Sequence, residues 1–302
     1  MNFLILGSGF GLYGYLPAIL KNPKNKLYLS SKYKKFFNSR KDIRRFRNNI
    51  FWYKKVFKVL NKVHRVIIAK RPSDQYKICK SLISRKKTIF LEKPLAKNPD
   101  ISFKLIDFLI KKKISFNIAY LFNYTKWSSI FKKRLEKSYF KEFNVIWRFE
   151  SKIPSDNWKL NSKEGGGIIN FYGIHLISLL ADLNYFPLRS IIFKNNSDKL
   201  WLATFSRSGY AKINILLDIA SKKEEFLIEE INQNKKKNII FIQNPLSEKK
   251  KFSFKKNNGH IDYRCNILTK YLYSKKKKIS FHKNVIFLWK NIMENTKICY
   301  HN

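Results

Sequence analysis

Short apolar runs separated by amphipathic stretches set the pattern of the first 122 residues. Asn2–Leu6 is such a run and ends at Gly7. Runs this short and nearly continuous read as strands buried on both faces of a parallel sheet. Leu12–Leu20 follows with helical spacing and Pro17 in its first turns. The strand pattern returns at Lys26–Leu29, Val63–Ala69, Thr88–Leu91 and Ile114–Leu121, and Asp74–Ser84 and Ile101–Lys112 are spaced as helices. Strands alternating with helices predict an α/β domain over residues 1–122, with a doubly wound parallel sheet of Rossmann type.

After Asn123 the pattern changes. Ser128–Ser138 reads as a helix, and Phe143–Phe149 alternates as a half-exposed strand does. Gly165-Gly166-Gly167 opens an apolar helix that reaches Leu183. Ser190–Phe193, Leu200–Phe205, Ala211–Asp218, Glu225–Ile231 and Asn238–Ile242 then follow at hairpin-length intervals, and helices over Tyr263–Tyr273 and Asn284–Ile298 close the chain. Clustered strands of this kind predict a second α/β domain, residues 123–302, with a large open, mostly antiparallel sheet.

Composition changes this picture in one respect only. The 302 residues suit two cores, and 44% hydrophobic with 16% aromatic residues is ample material to fill them, which excludes a disordered chain. The formal charge of +43, from 63 Lys+Arg against 20 Asp+Glu, raises the alternative of a nucleic-acid-binding protein. Lys, Asn, Ile, Phe and Tyr are however abundant together, core-strand segments included, as in a compositional drift of the whole chain rather than a basic face. The lysine runs at 235–237, 249–251 and 275–278 fall at predicted turns and read as solvated loop charge. No specific nucleic-acid partner is expected, although phosphorylated ligands will be attracted. Cys79, Cys265 and Cys299 are sparse, odd in number and without metal spacing, as in a reducing compartment. With no signal-type or membrane-length apolar run, a cytoplasmic protein without membrane partner or metal is expected.

The first strand runs into Gly7-Ser8-Gly9-Phe10-Gly11-Leu12. Glycines at a strand-to-helix turn let the backbone approach a pyrophosphate that faces the helix N-terminus. Gly7 and Gly9 fill the first two positions; the third holds Leu12, with Gly11 one residue early. At the end of the second strand, where a carboxylate would grip a ribose 2′-hydroxyl, the chain has Ser30-Ser31-Lys32. Hydroxyls beside a cation suit a 2′-phosphate, so NADP is expected in preference to NAD.

Four segments in order resemble the Gfo/Idh/MocA family, named for glucose–fructose oxidoreductase, inositol dehydrogenase and a rhizopine catabolism protein. They are Gly7-Ser8-Gly9 with Leu16-Pro17-Ala18, Ala69–Gln75 with Pro72, Leu91-Glu92-Lys93-Pro94-Leu95, and Gly165-Gly166-Gly167 with Gly173 and His175. The resemblance implies hydride transfer between a nicotinamide and a hydroxyl or carbonyl of a sugar, cyclitol or nucleotide sugar. It implies a homo-dimer or homo-tetramer, often built on the open sheet of a substrate-binding second domain. It places Ala69, Pro72, Gln75, Glu92, Lys93 and Pro94 at the cofactor, Lys93 and His175 in catalysis, and Trp158-Lys159 at the substrate. The family commonly has Asp four residues before the histidine; here that residue is Phe171. Asn170 and Tyr172, its neighbours, are the candidates to take over substrate contacts. Either the site is rebuilt around them, or the chain is a non-catalytic dinucleotide-binding sensor or partner subunit.

Overall fold

The computed structural model describes residues 1–82, 87–137, 141–195, 197–233, 235–247 and 262–300. The expected helix ends at Ser84 and Ser138 and the lysine run 249–251 lie outside the described residues. The chain divides into two compact units. The first comprises Met1–Ala96, Lys104–Leu121 and, of the described residues beyond, 262–277; the second comprises Lys97–Phe103, residues from Phe122 to 247, and those from Lys278 onward.

The first unit is built on six parallel strands: β1 (Asn2–Leu6), β2 (Lys26–Ser30), β3 (Ile50–Tyr53), β4 (Arg65–Ile68), β5 (Thr88–Leu91) and β6 (Ser115–Ile118). Their order is β3-β2-β1-β4-β5-β6, the doubly wound arrangement the alternating pattern predicts. Phe3, Leu4, Ile5, Leu29, Ile67 and Leu91 are fully or almost fully buried, as strands covered on both faces require. β3 is a sixth strand that the run of basic residues around it obscured. The helix Cys265–Tyr273 joins this unit from the far end of the chain. Tyr271 donates a 3.0 Å hydrogen bond from its hydroxyl to the Asn117 carbonyl and sets its ring edge-on to Phe90.

The second unit carries a seven-stranded sheet of β7 (Glu142–Glu150), β8 (Phe186–Asn195), β9 (Ser197–Ser206), β10 (Lys212–Asp218), β11 (Ala220–Asn232), β12 (Lys235–Ile242) and β13 (Thr296–Tyr300). The order is β12-β11-β7-β10-β9-β8-β13, antiparallel except for the β7–β10 and β8–β13 pairs. Phe143, Val145, Trp147, Ile213, Ile215, Leu217, Trp201, Ala203 and Phe205 point to a buried face. The alternate residues Asn144, Ile146, Leu202, Thr204, Asn214 and Leu216 form a half-buried opposite face, as a period of two dictates. Two expectations are corrected. The last helix runs over Ile279–Asn295 and stops before Ile298, because Thr296–Tyr300 pairs in parallel with β8 and so exchanges helical for ladder hydrogen bonds. Lys235–Lys237 lie within edge strand β12 rather than in a turn; exposed lysines on an edge oppose further strand pairing. Among the described residues no helix is long and apolar enough to cross a membrane.

Candidate active site

In the first unit, the loops after β1, β4 and β5 emerge side by side at the carboxyl edge of the sheet. Strand order reverses between β1 and β4, the position at which open α/β sheets leave a ligand crevice. Gly7 has φ +142°, and a Cβ there would stand 2.1 Å from the Ala69 carbonyl oxygen of the neighbouring loop, so only glycine fits. At Gly9 the reverse holds: a Cβ would meet nothing within 4 Å, and the exposed backbone borders open space. Gly11 takes over the close packing of helix on strand, since a Cβ there would lie 2.7 Å from the Ile5 side chain. Leu12 is wholly buried. The chain winds one wide i→i+5 turn, Gly11–Tyr15, before the α-helix Leu16–Leu20, so glycine one residue early coincides with a turn one residue wider.

An aromatic and charged wall stands beside this turn. Phe10 lies 5.5 Å from Tyr13 and 5.3 Å from Tyr15, and the Arg264 guanidinium sits 4.0 Å from its ring centroid. Arg264 is fixed by two bonds to Asp262, of 2.9 and 2.8 Å. The Tyr15 hydroxyl donates to Glu92, the first residue of the loop after β5. Burial raises the Glu92 carboxyl above its ordinary range, against the opposing pull of the Tyr15 hydrogen bond, Lys93 and Arg264. Burial and the Glu92 charge likewise hold the Tyr15 hydroxyl well above its usual value. Lys93 is half-buried and joined to Pro94 by a cis peptide bond. Pro72 is buried at the start of the helix Pro72–Leu82, and Gln75, one turn on, is completely buried against the Glu92–Leu95 backbone. After β2, Ser30 leads into a tight turn over Ser31–Tyr33, where exposed Lys32 places its ammonium 5.2 Å from the Tyr33 ring centroid. These residues fit a dinucleotide: an open glycine backbone, a helix beginning behind it and a cationic rim.

In the second unit, Trp158 and Lys159 sit in a tight turn pressed onto the triple glycine, since a Cβ on Gly166 would fall 2.1 Å from the Trp158 carbonyl oxygen. A second wide turn, Ile168–Gly173, precedes the helix Ile174–Asp182. Phe171 packs edge-on against Trp158 (5.8 Å) and Tyr172 (4.9 Å), with the Lys159 ammonium 5.5 Å from its ring centroid. The Tyr172 hydroxyl lies 3.2 Å from Ser151 Oγ. Asn170 faces inward, accepting a 2.8 Å bond from Trp289 Nε1. His175 is 3% exposed and stacks on Phe122 at 4.8 Å.

Residues 1–120 match the model of the Gfo/Idh/MocA oxidoreductase family, described as having an NAD-binding Rossmann fold. No curated protein matches the chain by sequence. Solved structures share its fold along their whole length. KijD10, a 3-ketoreductase from Actinomadura kijaniata crystallised with NADP and TDP-benzene, is 10% identical with a TM-score of 0.71, covering 100% of this chain and 99% of that one. The WlbA (WbpB) dehydrogenase from Thermus thermophilus, solved with NAD and α-ketoglutarate, is 14% identical at TM-score 0.67, over 100% and 97% of the two chains. D-galactose-1-dehydrogenase from Rhizobium etli is 16% identical at TM-score 0.72, over 99% and 96%.

The first unit gathers Gly7–Leu12, Ala69, Pro72, Gln75 and Glu92–Pro94 at adjoining strand ends, with Ser30–Lys32 on the next strand over. The second unit groups Trp158, Lys159 and Tyr172 with Phe171, and turns Asn170 and His175 into its interior. Sequence reasoning missed Tyr15, Asp262 and Arg264. Tyr15 carries no motif, and Arg264 is one cation among many in so basic a chain; only the fold returns residue 264 to the glycine turn.

Proposed function

We propose that this protein is an NADP- or NAD-dependent oxidoreductase acting on a hydroxyl or carbonyl of a sugar, cyclitol or nucleotide sugar. The reading is carried by one observation: a glycine turn with open backbone at the β1/β4 reversal, beside the Glu92-Lys93-Pro94 loop. Gly7–Leu12 would hold the pyrophosphate, Ser30, Ser31 and Lys32 the ribose end, and Ala69, Pro72 and Glu92–Pro94 the nicotinamide side. The bound nucleotide supplies or accepts the hydride. The Lys93 ammonium stabilises negative charge on the substrate oxygen, His175 takes or returns the hydroxyl proton, and Trp158, Lys159, Asn170 and Tyr172 bind the sugar. NADP is preferred to NAD, because no carboxylate at Ser30–Lys32 repels a 2′-phosphate. The protein works in the cytoplasm as a homo-dimer or homo-tetramer, and the half-buried sheet face bearing Ile146, Leu202 and Leu216 offers the apolar surface for assembly.

Turnover of a panel of sugars, cyclitols and nucleotide sugars with added NADP(H) tests this. Lys93→Ala should lower turnover by about 10²–10³ with melting unchanged, and His175→Ala by about 10²–10⁴. Because His175 is buried, its removal should also lower Tm by several degrees. Full activity in both variants would overturn the assignment. The second reading, a dinucleotide-binding protein without turnover, rests on Phe171 in its aromatic cluster. It gains if calorimetry shows nucleotide binding and no substrate of the panel reacts.

A further inference from the structure

Gln75 is a fully buried polar side chain beside the Lys93 loop. It projects from the first turns of Pro72–Leu82 with no exposed surface. Its Nε2 donates to three carbonyls of one loop, Glu92 at 3.0 Å, Pro94 at 3.0 Å and Leu95 at 3.2 Å. Its Oε1 accepts from the Glu92 N–H at 3.0 Å. One side-chain amide thus bonds the backbone on both sides of Lys93 and is itself shut off from solvent. The loop leaves the β5 ladder at this point, so these backbone groups have few alternative partners, and an unpaired buried carbonyl or N–H is costly. The Tyr15 bond to Glu92 holds the adjacent side chain, whereas Gln75 spans the loop.

We infer that Gln75 is a positioning residue: it fixes the Glu92–Leu95 backbone and thereby the place from which Lys93 reaches a substrate oxygen, without contacting dinucleotide or substrate. This rests on the proposed role of Lys93 and adds to it a residue on which that role depends. A small misplacement of a reacting group can lower rates about 10²-fold, so a clamp on this loop sets turnover more than affinity.

The test uses the full chain and Gln75→Met, similar in size but unable to make the four bonds. Gln75→Glu, which keeps only the bond from Glu92 N–H and presents oxygen to three carbonyls, serves if the first variant does not fold. In hydrogen exchange on the ligand-free protein, the peptide covering residues 91–96 should exchange about tenfold faster, while β6 stays as in the parent. Turnover should fall about 10²-fold, with NADP affinity within about twofold. In a Lys93→Ala background the same substitution should lower turnover no further, although it still lowers Tm. Unchanged exchange in residues 91–96 would overturn the clamp. An equal further loss of turnover in the Lys93→Ala background would show that Gln75 does not act through Lys93. If the parent protein neither binds NADP nor turns over, the functional reading fails, and the exchange experiment still decides the clamp.

Discussion

At the scale of single residues, the glycine turn shows how identity and surroundings combine. Gly7 is required by its own φ and by the Ala69 carbonyl, whereas a Cβ added at Gly9 would meet nothing within 4 Å. A side chain at Gly9 would therefore leave the fold alone and occupy the space a pyrophosphate needs. Gly9→Val should keep Tm within about 2 °C and weaken NADP binding by about 10²-fold or more in calorimetry, some 2.7 kcal/mol. Unchanged affinity would remove the turn from the site. Burial acts in the same legible way on the thiols. It pushes the Cys79 thiol up to about 12, so almost no thiolate forms at pH 8, whereas Cys299 is half-exposed at the chain's last strand. In a thiol titration of the native protein at pH 8, Cys299 should react first and Cys79 only after denaturation. Rapid labelling of Cys79 would show that its packing opens.

At the scale of elements, two wide turns decide where side chains point. Gly11–Tyr15 compensates for glycine standing one position early, and Ile168–Gly173 leads into the helix that carries His175. Phe171, in the second of these turns, packs against Trp158 and Tyr172. A carboxylate at 171 would enter that ring cluster, beside the Lys159 ammonium that stands 5.5 Å from the Phe171 ring centroid. Phe171→Asp should therefore lower stability by about 1–3 kcal/mol and lower rather than raise turnover. Thermal melting and the substrate panel check both, and a gain in activity would show that the aromatic cluster is a decayed rather than a rebuilt site.

At the scale of the whole molecule, charge is the dominant property. A formal +43 spread along the chain raises the local concentration of every polyanion, so binding of phosphorylated ligands will contain a large unspecific part. The contribution of a 2′-phosphate separates from it by its salt dependence. NADP should bind more tightly than NAD at low ionic strength, and the margin should narrow as the Debye length falls from about 30 Å at 0.01 M to about 8 Å at 0.15 M salt. Equal affinities at low salt would contradict the reading of Ser30–Lys32. Single-stranded DNA should show a steeper loss with salt and little thermal stabilisation beside NADP.

The alternation of short apolar runs with amphipathic stretches was enough to determine a doubly wound sheet, and clustered strands to determine an open sheet after it, because burial on two faces or one writes a distinct period into the residues. Local motifs marked the glycine turn and the Glu92-Lys93-Pro94 loop for the same reason: backbone approach and loop chemistry depend on residues adjacent in sequence. The third strand, the terminal strand Thr296–Tyr300 and the return of residues 262–277 to the first unit were decided only by tertiary structure. Each is short or compositionally plain, and its place depends on pairing or packing with segments far along the chain. The same holds for Gln75, which the family resemblance places at the cofactor. Its position behind the loop, bonded to four backbone groups, follows from how helix Pro72–Leu82 packs beside β5, which no local pattern records.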